Sequence, residues 1–228
     1  MRSKADSVFL IIGTVLILAA LSLFLYNRRE NAVVEKATAE VSLQLEEQIE
    51  EARRQKELEK SGNTGESENG EEGDASSPAS TPAPAETIDT SMTVTTIQNH
   101  DYIGRLSIPG QGLDLPIMND WDYVNLQIAP CRYAGSTKSH DLVICAHNFD
   151  CHFGVLKDMS VGDDVIFTDM DGKTWYYTVA AVETLDPGAI DEMISGEYDL
   201  TLFTCTYGGA TRVTVRCEQV GESLPEQG

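Results

Sequence analysis

Three side chains in this sequence stand where each could take part in acyl transfer. Cys205 ends the apolar, alternating run TLFTC at 201–205 and is followed by Thr206, Tyr207, Gly208 and Gly209. A thiol at a strand end keeps a rigid backbone and an open side chain, which suits a nucleophile. His147 ends a second apolar run, DLVICAH at 141–147, and an imidazole takes and returns a proton near neutral pH. Arg212 opens a third run, RVTVRCE at 212–218. A hairpin between 200–204 and 212–218 would carry Arg212 back beside Cys205. There a permanently charged guanidinium can donate to a carbonyl oxygen that turns negative. Arg216 lies an even number of positions further on and shares the same face, so it is the alternative; Arg212 is nearer the cysteine end.

The elements that must position these groups read as β-structure. Val-, Ile-, Leu-, Tyr- and Thr-rich runs bounded by Gly, Pro, Asp or Asn fall at 103–108, 113–118, 141–146, 164–168, 175–185, 200–204 and 212–218. Short helical stretches fall around 121–127, 154–159 and 189–194. The DMDG segment at 169–172 reads as a hairpin turn, because the further ligands of a calcium loop are missing. Seven or eight strands in residues 91–228 predict an all-β domain, closed or nearly closed into a barrel.

The remainder of the chain is of a different kind. Residues 7–26 carry no charge and are long enough to span a bilayer as a helix, with basic residues on both sides. The run continues past its one small-residue site, so an uncleaved membrane anchor over 1–30 is expected rather than a removed signal. Residues 31–90 read as an acidic stalk. Its first half is helical, with Val34, Ala37, Val41, Leu45, Ile49 and Ala52 at spacings of three and four, suiting a short coiled coil or a solvated helix. Its second half, 61–87, is rich in Gly, Ser, Glu, Pro and Thr and is expected to be disordered. The net charge of −21 includes 20 Asp/Glu against 7 Lys/Arg in residues 91–228, which argues against nucleic acid as a partner.

Two rival readings come from the same residues. Cys145, His147, Cys151 and His152 crowd into eight positions and could suggest zinc, but they include no CxxC pair. A non-catalytic extracellular β-domain is the other. The five cysteines, Cys131, Cys145, Cys151, Cys205 and Cys217, are odd in number, and no disulfide can be assigned from spacing. The LPEQG at 224–228 resembles a sorting motif but is followed by no apolar segment and basic tail. Nothing calls for a cofactor or a metal.

Over 102–218 the sequence resembles the sortases. The YIGRLSIP run at 102–109 looks like the family's opening strand, ICAHN at 144–148 its histidine motif, and TLFTC at 201–205 its cysteine motif. Arg212, in TRVTVR at 211–216, stands where the family's arginine is expected. HFGVL at 152–156 and GDDVIF at 162–167 fit the middle section. Ala146 departs from the pattern, since Gly is common there. The resemblance implies a closed eight-stranded sortase-type β-barrel, preceded by a transmembrane helix and stalk, with the domain outside the cell. It also implies a cysteine transpeptidase with Cys205 as nucleophile, His147 as acid/base and Arg212 beside the oxyanion. The donor would be an LPxTG-like sorting signal of a secreted protein. The acceptor would be an amine of a cell-wall precursor or a pilin. Residues 186–199 fall in the loop that shapes substrate choice in relatives, and the subfamily stays open between class D-like and B-like forms.

Overall fold

Alternating side chains turn the second half of the chain into strands whose inner faces share one core. The computed structural model describes residues 4–62 and 90–221. The predicted disordered segment, apart from Ser61 and Gly62, and the 224–228 motif lie outside the described residues. The strands are β1 (Thr95–Ile97), β2 (His100–Ile108), β3 (Leu113–Met118), β4 (Cys131–Ala134), β5 (Leu142–Ala146), β6 (Asp164–Asp169), β7 (Thr174–Leu185), β8 (Leu200–Cys205) and β9 (Arg212–Gln219). Their order is β1-β2-β3-β4-β5-β8-β9-β7-β6, and β2 also pairs with β6. That pairing closes β2 to β9 into an eight-stranded barrel, with β1 added to the start of β2.

Closure depends on one glycine. β2 pairs with β1 up to Tyr102 and with β6 from Gly104 onward, and its register against β3 shifts between the same two residues. A Cβ at Gly104 would collide with the Thr168 carbonyl and the Phe167 ring. The bulge therefore needs the one residue without a side chain.

Every strand predicted from alternation is present within a few residues of its expected bounds. β1 and β4 were not predicted. They have only three and four residues, too short for alternation to register. The three expected helical stretches shrink to 3₁₀ turns at Asn125–Gln127 and Phe153–Asp158 and a single helical turn, α2 (Ile190–Met193).

The chain before the barrel forms one helix, α1 (Lys4–Gly62). Val41, Leu45 and Ile49, four apart on one stripe, are buried against Ile97, Tyr102, Met118 and Cys131. Past this stripe Arg53 donates through Nε to the Gly172 carbonyl (2.8 Å) and through Nη2 to Thr174 Oγ1 (2.8 Å). Lys56 Nζ reaches the Asp171 carbonyl at 2.9 Å. The Val41, Leu45 and Ile49 part of the stripe read from the sequence as a coiled-coil or solvent-exposed face thus packs on the barrel. Spacing defines an apolar stripe without naming what covers it. Toward the start of α1, Phe9, Ile12, Val15, Leu16, Ile17, Leu18 and Leu21 are exposed. Several side chains of the run 7–26 lie outside the described residues, and among the described residues no helix is long and apolar enough to cross a membrane.

Candidate active site

Strand alternation sorts the residues of β5, β8 and β9 between the inside and outside of the barrel. Leu142, Ile144 and Ala146 of β5, Leu200 and Leu202 of β8, and Val215 and Cys217 of β9 lie in the central core. The intervening positions therefore face outward. They include Cys145, Phe203, Cys205 and Arg212, and the residue that follows β5, His147.

Register brings the three chemical groups together. β5 and β8 are parallel neighbours, with Ala146 opposite Thr204 as the last pair. The next position on each strand is His147 and Cys205, so the two stand side by side. β8 and β9 are antiparallel, with Cys205 directly opposite Arg212. All three are half-buried and line one groove of about 210 Å³. The rival arginine goes elsewhere. Arg216 is buried, with Nε donating to Glu183 Oε1 at 2.7 Å and Nη2 to the Glu192 carbonyl at 2.8 Å. Its Nη1 donates to the Met193 carbonyl (3.2 Å) and to Thr201 Oγ1 (3.1 Å). Every nitrogen of its guanidinium is thereby engaged in tying α2 to the sheet.

Local bonds hold the ends of these strands. Thr204 Oγ1 donates to the Ala146 carbonyl at 2.8 Å, joining β5 and β8 one residue before the groove. Beyond His147 the chain folds back, with the Phe153 amide donating to the His147 carbonyl at 3.1 Å. The loop from Cys205 to Arg212 is closed by Thr206 and Thr211, which bond amide to carbonyl at 2.9 Å and hydroxyl to hydroxyl at 3.1 Å. Its tip turns through Gly208 and Gly209, with φ of 84° and 75°, a left-handed conformation that glycine adopts without penalty. Arg212 Nη1 donates to the Gly209 and Thr211 carbonyls at 3.1 and 3.2 Å; among the described residues its Nε and Nη2 are not so engaged and can face a bound carbonyl oxygen.

The electrostatics distinguish the cysteines. Burial pushes the Cys145 thiol up to about 12, with neighbouring Cys205 adding to the effect. Burial likewise raises the Cys131 and Cys217 thiols. These three stay protonated and inert at neutral pH. Burial lowers the His147 pKa below its ordinary value, so the ring is mostly neutral at pH 7 and has a lone pair to receive a proton. His152 lies buried nearby, with Phe149 close to both rings. Burial, reinforced by the charge of His147, lowers His152 to about 4. His147 also has a partner that the sequence did not suggest: the Gln127 side-chain amide nitrogen lies 3.0 Å from His147 Nε2.

The groove wall is largely aromatic. Trp121 stacks on Tyr133 at 5.3 Å, and Tyr133 meets the edge of Phe203 at 5.2 Å. Ile190 and Met193 of α2 also line it. This wall and Gln127 were not foreseen, because their residues come from the β3–β4 connection, β4, β8 and α2 and meet only through the fold. The cluster that suggested zinc does not assemble: among the described residues no group of three or more His, Cys, Asp or Glu is arranged to hold a metal.

A thiol, an imidazole and a guanidinium on three neighbouring strands form a set suited to acyl transfer. The sortase domain family model matches residues 106–220, half of the chain. The chain belongs to the sortase family. Sortases are cysteine transpeptidases. Among solved structures, sortase A from Corynebacterium diphtheriae is 26% identical over 56% of this chain, with a TM-score of 0.50. The match covers 64% of the diphtheria sortase, less than two thirds of its length. Sortase C from Streptococcus pneumoniae is 25% identical over 54% of this chain and 71% of its own, with a TM-score of 0.50. No curated protein matches the sequence.

Proposed function

We propose that this sortase cleaves an LPxTG-like sorting signal through a thioester on Cys205 and passes the acyl group to an amine. The observation that carries the reading is the juxtaposition of His147, Cys205 and Arg212 on adjacent strands at one groove. In the first half-reaction, His147 takes the Cys205 proton as the sulfur bonds to the scissile carbonyl carbon. The carbonyl electrons move to oxygen, where the free N–H groups of Arg212 neutralise the developing charge. Collapse of the tetrahedral adduct breaks the C–N bond. His147 returns its proton to the leaving amine, and the thioester remains. In the second half-reaction an acceptor amine attacks the thioester carbonyl, its proton passes by way of His147, and the Cys205 thiol is restored.

The aromatic and aliphatic walls suit an extended peptide with apolar side chains near the scissile bond. The acceptor is an amine of a cell-wall precursor or a pilin. The exposed apolar residues near the start of α1 support a single-pass membrane anchor on that segment, with the catalytic domain outside the cell. The anchor, the acidic linking segment and the catalytic domain then correspond to 1–30, 31–90 and 91–228. A panel of LPxTG-like peptides offered to the full chain, with Cys205→Ala as control, tests the reading. Cleavage that depends on Cys205 is expected. Cleavage of no peptide, or equal cleavage by the variant, would refute it.

A further inference from the structure

We propose that Gln127 is a positioning residue that holds the His147 ring and partners it in both of its protonation states. The inference rests on the acyl-transfer reading above and deepens it. The Gln127 amide lies 3.0 Å from His147 Nε2, and a carboxamide can meet that nitrogen with its N–H or, turned over, with its Oε1. An acid/base residue must alternate between neutral and cationic forms. A carboxylate in this place would favour the cation throughout. A carboxamide carries a donor and an acceptor on the same group. With Oε1 toward the ring it accepts from Nε2–H in the neutral and the cationic form alike, which keeps the Nδ1 lone pair of the neutral form free to take the Cys205 proton.

The fold holds Gln127 in place for this work. It ends the 3₁₀ turn Asn125–Gln127, whose Leu126 is buried. The Asp122 carboxylate accepts from the Val124 and Asn125 amides, both at 2.7 Å, and fixes the start of the turn. Leu126 and Ala129 sit in the apolar cluster that receives Leu45 and Ile49 of α1. The turn is thus clamped between the docked helix and the end of β5. The other groups facing His147 do not duplicate this role. Cys205 is the reacting group, and Arg212 stands beyond it on β9. Cys145, on His147's own strand, is an inert thiol. His152 is a neutral neighbour on the loop that follows, and Asp186 lines the groove on the β7–α2 side with its Oδ1 accepting from the Gly188 amide.

The test uses Gln127→Leu and Gln127→Glu in the full chain. Three readouts are taken: kcat and KM on a peptide the parent cleaves, the alkylation rate of Cys205 by iodoacetamide across pH, and the NMR titration of the His147 ring. The leucine variant should lose about tenfold in kcat with KM within twofold and its melting temperature little changed. The glutamate variant should raise the His147 titration by about one pH unit and move the acid limb of Cys205 alkylation with it. A leucine variant with parental kcat, a KM rise at unchanged kcat, or a His147 titration unmoved by glutamate would each overturn the proposal. If the parent cleaves no peptide, the transpeptidase reading fails, while the ring titration and alkylation still judge Gln127.

Discussion

Residue by residue, the site separates groups that titrate usefully from groups that burial has silenced. Cys131, Cys145 and Cys217 are driven toward the neutral thiol; Cys145 and Cys205 both line the groove, and Cys205 is the half-buried one, between His147 and Arg212 in the sheet. Burial favours the neutral His147 ring. A mechanism that needs the lone pair is therefore fully competent above the lowered pKa and loses activity as pH falls through it. The acid limb of kcat/KM on a cleaved peptide should have its midpoint below 6.5, the ring's ordinary value; a midpoint above it would contradict the account. Arg212→Ala should lower kcat/KM by about a hundredfold to a thousandfold with little change in stability. Arg212→Lys should restore little of this, because an ammonium cannot bond two loop carbonyls and an oxyanion in the same planar geometry. Cys205 and His147 were legible in the sequence because each ends a strongly apolar strand, and strand ends are where such groups reach solvent. Arg212 was separable from Arg216 only by nearness. The structure supplies the physical reason: Arg216 is buried and bound on all sides, which spacing cannot reveal. Gln127 was not legible, since its value depends on a turn folding over His147, twenty residues further along the chain.

Among the elements, α2 and α1 do work that the barrel cannot do alone. α2 forms one wall of the groove and is held there by Arg216, whose side chain is 5% exposed against 41% for Glu183. Removing this guanidinium strips partners from the Glu192 and Met193 carbonyls and from Thr201. Arg216→Ala should destabilise the protein by about 3 kcal/mol in denaturant unfolding. It should also raise KM more than it lowers kcat, since the wall shifts while the reacting groups remain. An unchanged KM would mean that α2 does not contact substrate. On α1, Leu45 is fully buried against the barrel. Leu45→Ala should cost about 3 kcal/mol, read as a drop in the unfolding midpoint. If the helix were a free stalk, the substitution would be silent. The strands were legible because an alternation of two survives in every strand of five residues or more. β1 and β4 were too short for it. The docking of α1 was hidden because an apolar stripe with helical spacing looks the same whether it meets a helix, a sheet or another chain.

At the scale of the molecule, one topological feature assembles the chemistry. β5 and β8 are neighbours in the sheet although β6, β7 and α2 lie between them in the chain. Parallel pairing then places the ends of both strands at the same rim. β9 returns antiparallel, so its start meets the end of β8. Histidine, cysteine and arginine must therefore occur at the end, end and start of three strands, and the sequence has them there. The number of strands predicted a closed or nearly closed barrel, and turn signals gave the β6–β7 and β8–β9 hairpins, but the β5–β8 pairing was not predicted, because it depends on long-range contacts that local pattern does not encode. The central claim is that Cys205 carries the acyl group. Intact-mass measurement of the protein mixed with an LPxTG-like peptide should find an adduct equal in mass to the acyl fragment. It should map to Cys205, be released by hydroxylamine and be missing in Cys205→Ala. An adduct on another cysteine, or peptide turnover undiminished in that variant, would contradict it.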